Sequence, residues 1–164
     1  VNCSICEAGR YSGAAASSCK ACGAGSHTGL ALAAESCIAC GPGTFSTGSA
    51  VDCTSCGAGS FSSIGAAECS PCAFGKFSPA ESMTCSPCEP GTYNGAFGAP
   101  NCSQCPAGRW SGNGAFSCTT CAVGKYGADA SQDSCADCPQ VKRCTTISSC
   151  DNHLHIYRCC MDHY

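Results

Sequence analysis

The stretch CGAGSFSSIGAAECSPC, residues 56–72, carries a close cysteine pair, Cys69-Ser-Pro-Cys72, with a third cysteine at its head and a single ring, Phe61, in a run of Ser, Ala and Gly. A C-x2-C pair reads in three ways: half of a zinc site, a redox dithiol, or part of a disulfide framework. Four residues alone do not choose among them. The neighbours do.

The pair recurs along the chain as Cys3/Cys6, Cys19/Cys22, Cys37/Cys40, Cys53/Cys56, Cys69/Cys72, Cys85/Cys88, Cys102/Cys105, Cys118/Cys121 and Cys135/Cys138, at steps of 16 to 18 residues. Three residues after each of the first eight second cysteines stands a glycine, from Gly9 and Gly25 to Gly108 and Gly124. Two residues further stands a ring: Tyr11, His27, Phe45, Phe61, Phe77, Tyr93, Trp110 and Tyr126, with Ser or Thr usually next. A fixed period of this kind is the signature of a repeat array. Residues 1–138 therefore form about eight tandem repeats, and 139–164, without the Gly-x-aromatic motif, form an atypical cysteine- and histidine-containing cap or module.

Composition points the same way. Cysteine supplies 22 of 164 residues, beyond the roughly 8–10 % that marks a disulfide scaffold. Large aliphatic residues are too few for an ordinary core, yet the net charge is only −3, too low for the self-repulsion that keeps disordered chains open. Covalent cross-links are the remaining source of order. Such cysteine usage belongs to an oxidising, extracellular or cell-surface setting. No apolar run has the length of a membrane span. The scattered Lys and Arg form no basic patch, which excludes nucleic acid as a partner. The start at Val1 reads as a processed piece of a secreted protein.

Zinc would pair Cys53/Cys56 with Cys69/Cys72, but nine pairs leave an orphan and the spacers do not alternate between two lengths. Redox chemistry needs a helix N-terminus to lower a thiol pKa, and the sequence supplies none. Structural disulfides remain. Joining the second cysteine of one pair to the first of the next repeats identically along the chain and closes a loop around each Gly-x-aromatic unit. The bridges would be Cys6–Cys19, Cys22–Cys37, Cys40–Cys53, Cys56–Cys69, Cys72–Cys85, Cys88–Cys102, Cys105–Cys118 and Cys121–Cys135. Linking first to first and second to second across alternate pairs is the rival scheme. A loop of about 14 residues is worth about 3 kcal/mol per bridge in the chain-entropy model. One partly buried ring adds only about 1.5–3 kcal/mol. Tyr11, Phe45, Phe61, Phe77, Tyr93, Trp110 and Tyr126 are then expected as one-residue mini-cores of their repeats, the rival use being a ladder of ligand-binding faces.

The C-x2-G-x-(Tyr/Phe)…C-x2-C pattern over residues 3–138 resembles the ephrin-receptor-like cysteine-rich repeats and the smallest module of tumour-necrosis-factor receptors, His27 being the one departure in the ring row. The resemblance implies bridges that close the Gly-x-aromatic loop and an extracellular, non-catalytic array. Long arrays of this kind also resemble those of large protist and algal surface proteins, including mastigoneme glycoproteins. The fold class expected is small and disulfide-rich: an elongated tandem array of short β-hairpins and irregular loops, with little or no helix and no conventional hydrophobic core.

Outside that pattern, Cys3 lacks an opening partner and calls for an upstream or inter-subunit bridge. Cys138, Cys144, Cys150, Cys159 and Cys160 are left without an assigned pairing. Asn2-Cys3-Ser4 and Asn101-Cys102-Ser103 fit the N-glycosylation sequon at Asn2 and Asn101. No nucleophile–base–orienter set exists in 1–138, so no enzyme activity, cofactor or metal is expected. The function expected is an extracellular structural protein of a rod or filament, self-associating or part of a longer parent chain and in contact with glycans; the alternative is a receptor or adhesion ectodomain. The repeat with Arg109, Trp110 and Phe116 is the one that departs furthest from uniformity, the mark of a binding repeat.

Overall fold

A computed structural model describes residues 5–30 and 32–138. Among them there is no helix. The regular structure is sixteen two-residue strands, paired as eight two-stranded sheets. In chain order β1 (Arg10–Tyr11) faces β2 (Lys20–Ala21), β3 (Ser26–His27) faces β4 (Ile38–Ala39), β5 (Thr44–Phe45) faces β6 (Thr54–Ser55) and β7 (Ser60–Phe61) faces β8 (Ser70–Pro71). Next, β9 (Lys76–Phe77) faces β10 (Ser86–Pro87), β11 (Thr92–Tyr93) faces β12 (Ser103–Gln104), β13 (Arg109–Trp110) faces β14 (Thr119–Thr120) and β15 (Lys125–Tyr126) faces β16 (Ala136–Asp137). This is a tandem array of small disulfide-closed hairpins.

One repeat shows why the sequence folds this way. Residues 57–60 make a β-turn in which Ser60 N–H donates to the Gly57 carbonyl at 3.2 Å. Gly59, third in that turn, has φ +85°, a value the turn requires and a β-carbon disfavours. In two equivalent turns, Gly41-Pro42-Gly43-Thr44 and Glu89-Pro90-Gly91-Thr92, proline presets the second position. The chain leaves the turn as the first strand, and Phe61 sits opposite Ser70 in antiparallel register. Cys72 N–H then returns to the Gly59 carbonyl at 2.8 Å, and the Cys56–Cys69 disulfide closes the loop with its Cα atoms 5.8 Å apart.

The array divides into two compact units, one of Val1–Ala73, Phe77–Ser86 and Ala96–Asn101, the other of Phe74–Lys76, Pro87–Gly95 and Cys102–Tyr164. Burial in both is unusual. In the first unit, Cys6, Cys22, Cys40, Cys56 and Cys72 are buried together with Thr28, Ser46, Ser62 and Ser78; in the second, Cys88 and Cys105 are buried with Asn94 and Ser111. The eight rings are half-buried. The interior is thus made of sulfur, glycine and hydrogen-bonded polar side chains. Most large apolar side chains stand in solvent, among them Leu30, Ile64, Met83 and Phe116.

Candidate functional site

The chemistry-bearing feature is the joint between successive hairpins, built from main chain and short polar side chains. Within the first unit, the turn glycine of each repeat donates its N–H to the next repeat. Gly25 N–H reaches the Ser46 carbonyl at 2.7 Å, Gly43 the Ser62 carbonyl at 2.9 Å and Gly59 the Ser78 carbonyl at 2.7 Å. Gly9 N–H instead reaches Thr28 Oγ1 at 2.8 Å. The same serines reach back: Ser46 Oγ donates to the Ser26 carbonyl at 2.9 Å, Ser62 Oγ to Thr44 at 2.9 Å and Ser78 Oγ to Ser60 at 3.0 Å. The hydroxyls of Ser46, Ser62 and Ser78 therefore each satisfy a strand carbonyl of the repeat before, while Thr28 Oγ1 donates to the Gly29 carbonyl at 3.1 Å; a buried polar group needs such a partner to avoid a desolvation penalty.

A second set of bonds runs from the loop tips. At the tip of each loop stands a residue with positive φ, for example Ser49 at 51°, Gly65 at 69° and Glu81 at 61°. Its N–H donates to the opening-cysteine carbonyl of the preceding repeat: Ser49 to Cys22 at 2.8 Å, Gly65 to Cys40 at 2.8 Å, Glu81 to Cys56 at 3.0 Å. Its own carbonyl presses on the turn glycine two repeats back. A β-carbon on Gly9, Gly25, Gly43 or Gly59 would fall inside the carbonyl oxygen of Ser49, Gly65, Glu81 or Gly98 respectively. Glu81 adds a side-chain bond, with Ser55 Oγ donating to its Oε1 at 2.7 Å.

The second unit repeats the plan. Gly75 N–H donates to the Asn94 carbonyl and Gly91 N–H to the Ser111 carbonyl, both at 2.8 Å. Asn94 Nδ2 donates to the Lys76 carbonyl at 2.6 Å and Ser111 Oγ to Thr92 at 2.9 Å. Gly114 and Ser131 press their carbonyls on Gly75 and Gly91. Around Gly108 and Gly124 no described atom lies within 4 Å of where a β-carbon would stand, and Gly127 occupies the position that holds a hydroxyl or, at Asn94, an amide in the other repeats.

The residues singled out in the sequence fall as follows. The sixteen cysteines from Cys6 to Cys135 form eight bridges, each joining the second cysteine of one pair to the first of the next, with Cα separations of 5.6 to 5.8 Å. Each C-x2-C pair is split between two loops. Tyr11, Phe45, Phe61, Tyr93, Trp110 and Tyr126 lie opposite the exposed residues Lys20, Thr54, Ser70, Ser103, Thr119 and Ala136 of their hairpins. At His27 the ring nitrogen Nδ1 takes the Gly29 N–H at 3.1 Å. Asn101 is exposed beside the bridged Cys102. Cys138 is disulfide-bonded. Asn2, Cys3, Cys144, Cys150, Cys159, Cys160 and the whole of 139–164 lie outside the described residues. Among the described residues no cluster of three His, Cys, Asp or Glu side chains gathers as a metal site would require. No helix among them is long and apolar enough to cross a membrane.

Two positional rows were missed as functional. The Ser or Thr after six of the eight rings is visible in the sequence as a repeated residue type, but the buried connecting role of Thr28, Ser46, Ser62, Ser78 and Ser111 is not. The positive-φ loop tips carry Ala15, Ala33, Ser49, Gly65, Glu81, Gly98, Gly114 and Ser131, a set with no common side chain and so no sequence signal.

This geometry defines a class of protein built of cysteine-rich, disulfide-closed repeats. The family model described as tyrosine-protein kinase ephrin type A/B receptor-like matches residues 75–111, which hold Gly75, Phe77, Gly91 and Tyr93 of the repeated motif. Over residues 75–111 the chain is similar to ephrin-receptor-like cysteine-rich repeats, and the other described hairpins follow the same disulfide-closed plan. No curated protein matches it. Repeats of this kind are typical of non-catalytic extracellular modules, and the many disulfides among the described residues point to an extracellular or secreted setting.

Proposed function

We propose that the chain is a structural segment of an extracellular rod or filament, such as a surface appendage, stalk or matrix fibre. The observation that supports this reading is the joint itself. Gly59 bonds to the repeat that follows it and receives a carbonyl from the repeat after that. A unit held on successive neighbours by main-chain bonds suits load and repetition, and does not depend on a large core. Among the described residues no ionisable side chain is buried apart from the cysteines, which are bridged, so the joint's cohesion resists changes of pH outside the cell. Asn101, exposed in its sequon, is proposed to carry an N-linked glycan. Cys3 is proposed to form an upstream or inter-subunit disulfide.

Electron microscopy of the native material tests the reading: filaments or long rods are expected, and isolated compact particles would refute it. Non-reducing electrophoresis tests the bridge at Cys3, with ladders collapsing to monomer on reduction as the expected result. A second reading, a receptor or adhesion ectodomain, is favoured only by the uneven repeat that holds Arg109 and Trp110.

A further inference from the structure

We propose that the surface around Trp110 is a binding site for a neutral oligosaccharide. Trp110, half-buried on β13, lines an open groove of about 360 Å³ together with Thr119, Thr120, Lys125, Ser134 and Cys135. Ser134 also lines an adjoining hollow of about 530 Å³, whose other walls include Pro90, Ser131, Gln132 and Asp133. The two together place a broad ring on one side of Ser134 and a carboxylate, an amide and hydroxyls on the other. Both volumes fall in the range of small-ligand clefts, about 300–1,000 Å³.

The chemistry selects the ligand. A pyranose has a C–H face that lies against an aromatic plane and a rim of hydroxyls that both donate and accept. Trp110 offers the plane, and Asp133, Gln132 and Ser134 offer acceptors and donors for the rim. Ser134 Oγ donates to Asp133 Oδ1 at 2.9 Å, which aims the carboxylate while leaving it capacity for further donors. Ser131 Oγ is buried without a hydrogen-bond partner. Rotation about χ1 into the hollow its residue lines would give it one, and a buried hydroxyl without a partner asks for such an explanation.

Charge rules out the acidic ligands. Lys125 Nζ is paired with Asp137 at 2.7 Å, so the groove presents its aliphatic stem rather than a free cation. Asp133 then leaves the neighbourhood negative, which repels phosphate, sulfate and uronate groups. Two-residue strands offer too short an edge for strand addition by a peptide.

Trp110 is the chain's one tryptophan, so its emission reports the site directly. The full oxidised chain is titrated with cellohexaose, mannohexaose, chitohexaose and xylohexaose, and with hexagalacturonate as the acidic probe. At least one neutral hexaose is expected to shift the Trp110 emission saturably, with hexagalacturonate silent. Calorimetry with that sugar is expected to show Trp110→Ala weakening binding by about tenfold or more and Ser131→Ala by about threefold. Phe61→Ala, at the equivalent ring of another repeat, is expected to leave binding unchanged. Silence with every neutral hexaose, tighter binding of hexagalacturonate, or an equal loss from Phe61→Ala would each overturn the proposal. A chain that forms filaments and binds no sugar refutes this site without touching the structural reading, and the converse result does the opposite.

Discussion

Gly59 and Gly124 occupy the same place in the repeat motif, and their surroundings differ. Both have positive φ, 85° and 81°. Gly59 is buried, with the Gly98 carbonyl where a β-carbon would stand; Gly124 is exposed, with nothing described within 4 Å of that point. The motif therefore records two separate demands. The turn needs glycine in every repeat for its backbone angle. Where a second following repeat lies among the described residues, the glycine also makes room for a neighbour's main chain.

Reduction is the most severe way to break the comparison, because it should erase the difference altogether. With about 3 kcal/mol of loop-closure entropy at each of the bridges and few large buried side chains, excess reductant is expected to abolish the native circular dichroism at both ends of the array. A native spectrum surviving reduction would show that the joints suffice alone.

The next largest effect separates the two glycines. Gly59→Ala is expected to cost about 3 kcal/mol or more, from left-handed strain plus displacement of the Gly98 carbonyl. Gly124→Ala, at an exposed turn, is expected to cost about 1 kcal/mol from left-handed strain. Denaturant midpoints of the two variants measure the gap; equal midpoints would mean that the second-neighbour contact contributes nothing.

Ser78→Ala sharpens the role of the buried hydroxyl row. It removes the fully buried donor to the Ser60 carbonyl, and a cost of about 1–3 kcal/mol is expected. The exposed Ser63→Ala should change the same unfolding midpoint by less than about 0.5 kcal/mol. The smallest effect lies at Lys125 and Asp137, whose side chains are 45% and 84% exposed. Asp137→Asn is expected to move stability by no more than about 0.5 kcal/mol, and less in high salt.

The sequence carried the outline of this architecture because its period is written in rare residue types. Cysteine, glycine and a ring at fixed offsets leave few ways to tile a chain, and the hairpin at Gly59–Phe61 follows from the turn chemistry of those offsets. What was not legible is the direction of the coupling. Gly65, Glu81 and Ser131 serve the same loop-tip position with three unrelated side chains, because the joint uses their backbone N–H and C=O. A main-chain contact places no constraint on side-chain identity beyond tolerance of positive φ, and so leaves no pattern. For the same reason the rings drew attention as miniature cores, whereas the deepest positions went to Cys40, Cys72 and Ser78, each fully buried. The groove at Trp110 was foreshadowed only by an unusual ring; its polar wall from Ser131 to Ser134 comes from the following repeat.

The central claim is that the hairpins are joined by main-chain bonds from exposed loop tips. Native-state hydrogen exchange, resolved to single amides in the oxidised chain, tests it most directly. Gly65 and Glu81 stand in solvent-exposed loops, yet their N–H groups donate to Cys40 and Cys56 of the preceding repeats. These two amides are predicted to be as strongly protected as those of Cys56 and Cys72 inside the hairpins. Exchange of Gly65 and Glu81 at the rate of an unstructured peptide, with the hairpin amides still protected, would contradict the account and leave a string of independent disulfide-closed loops.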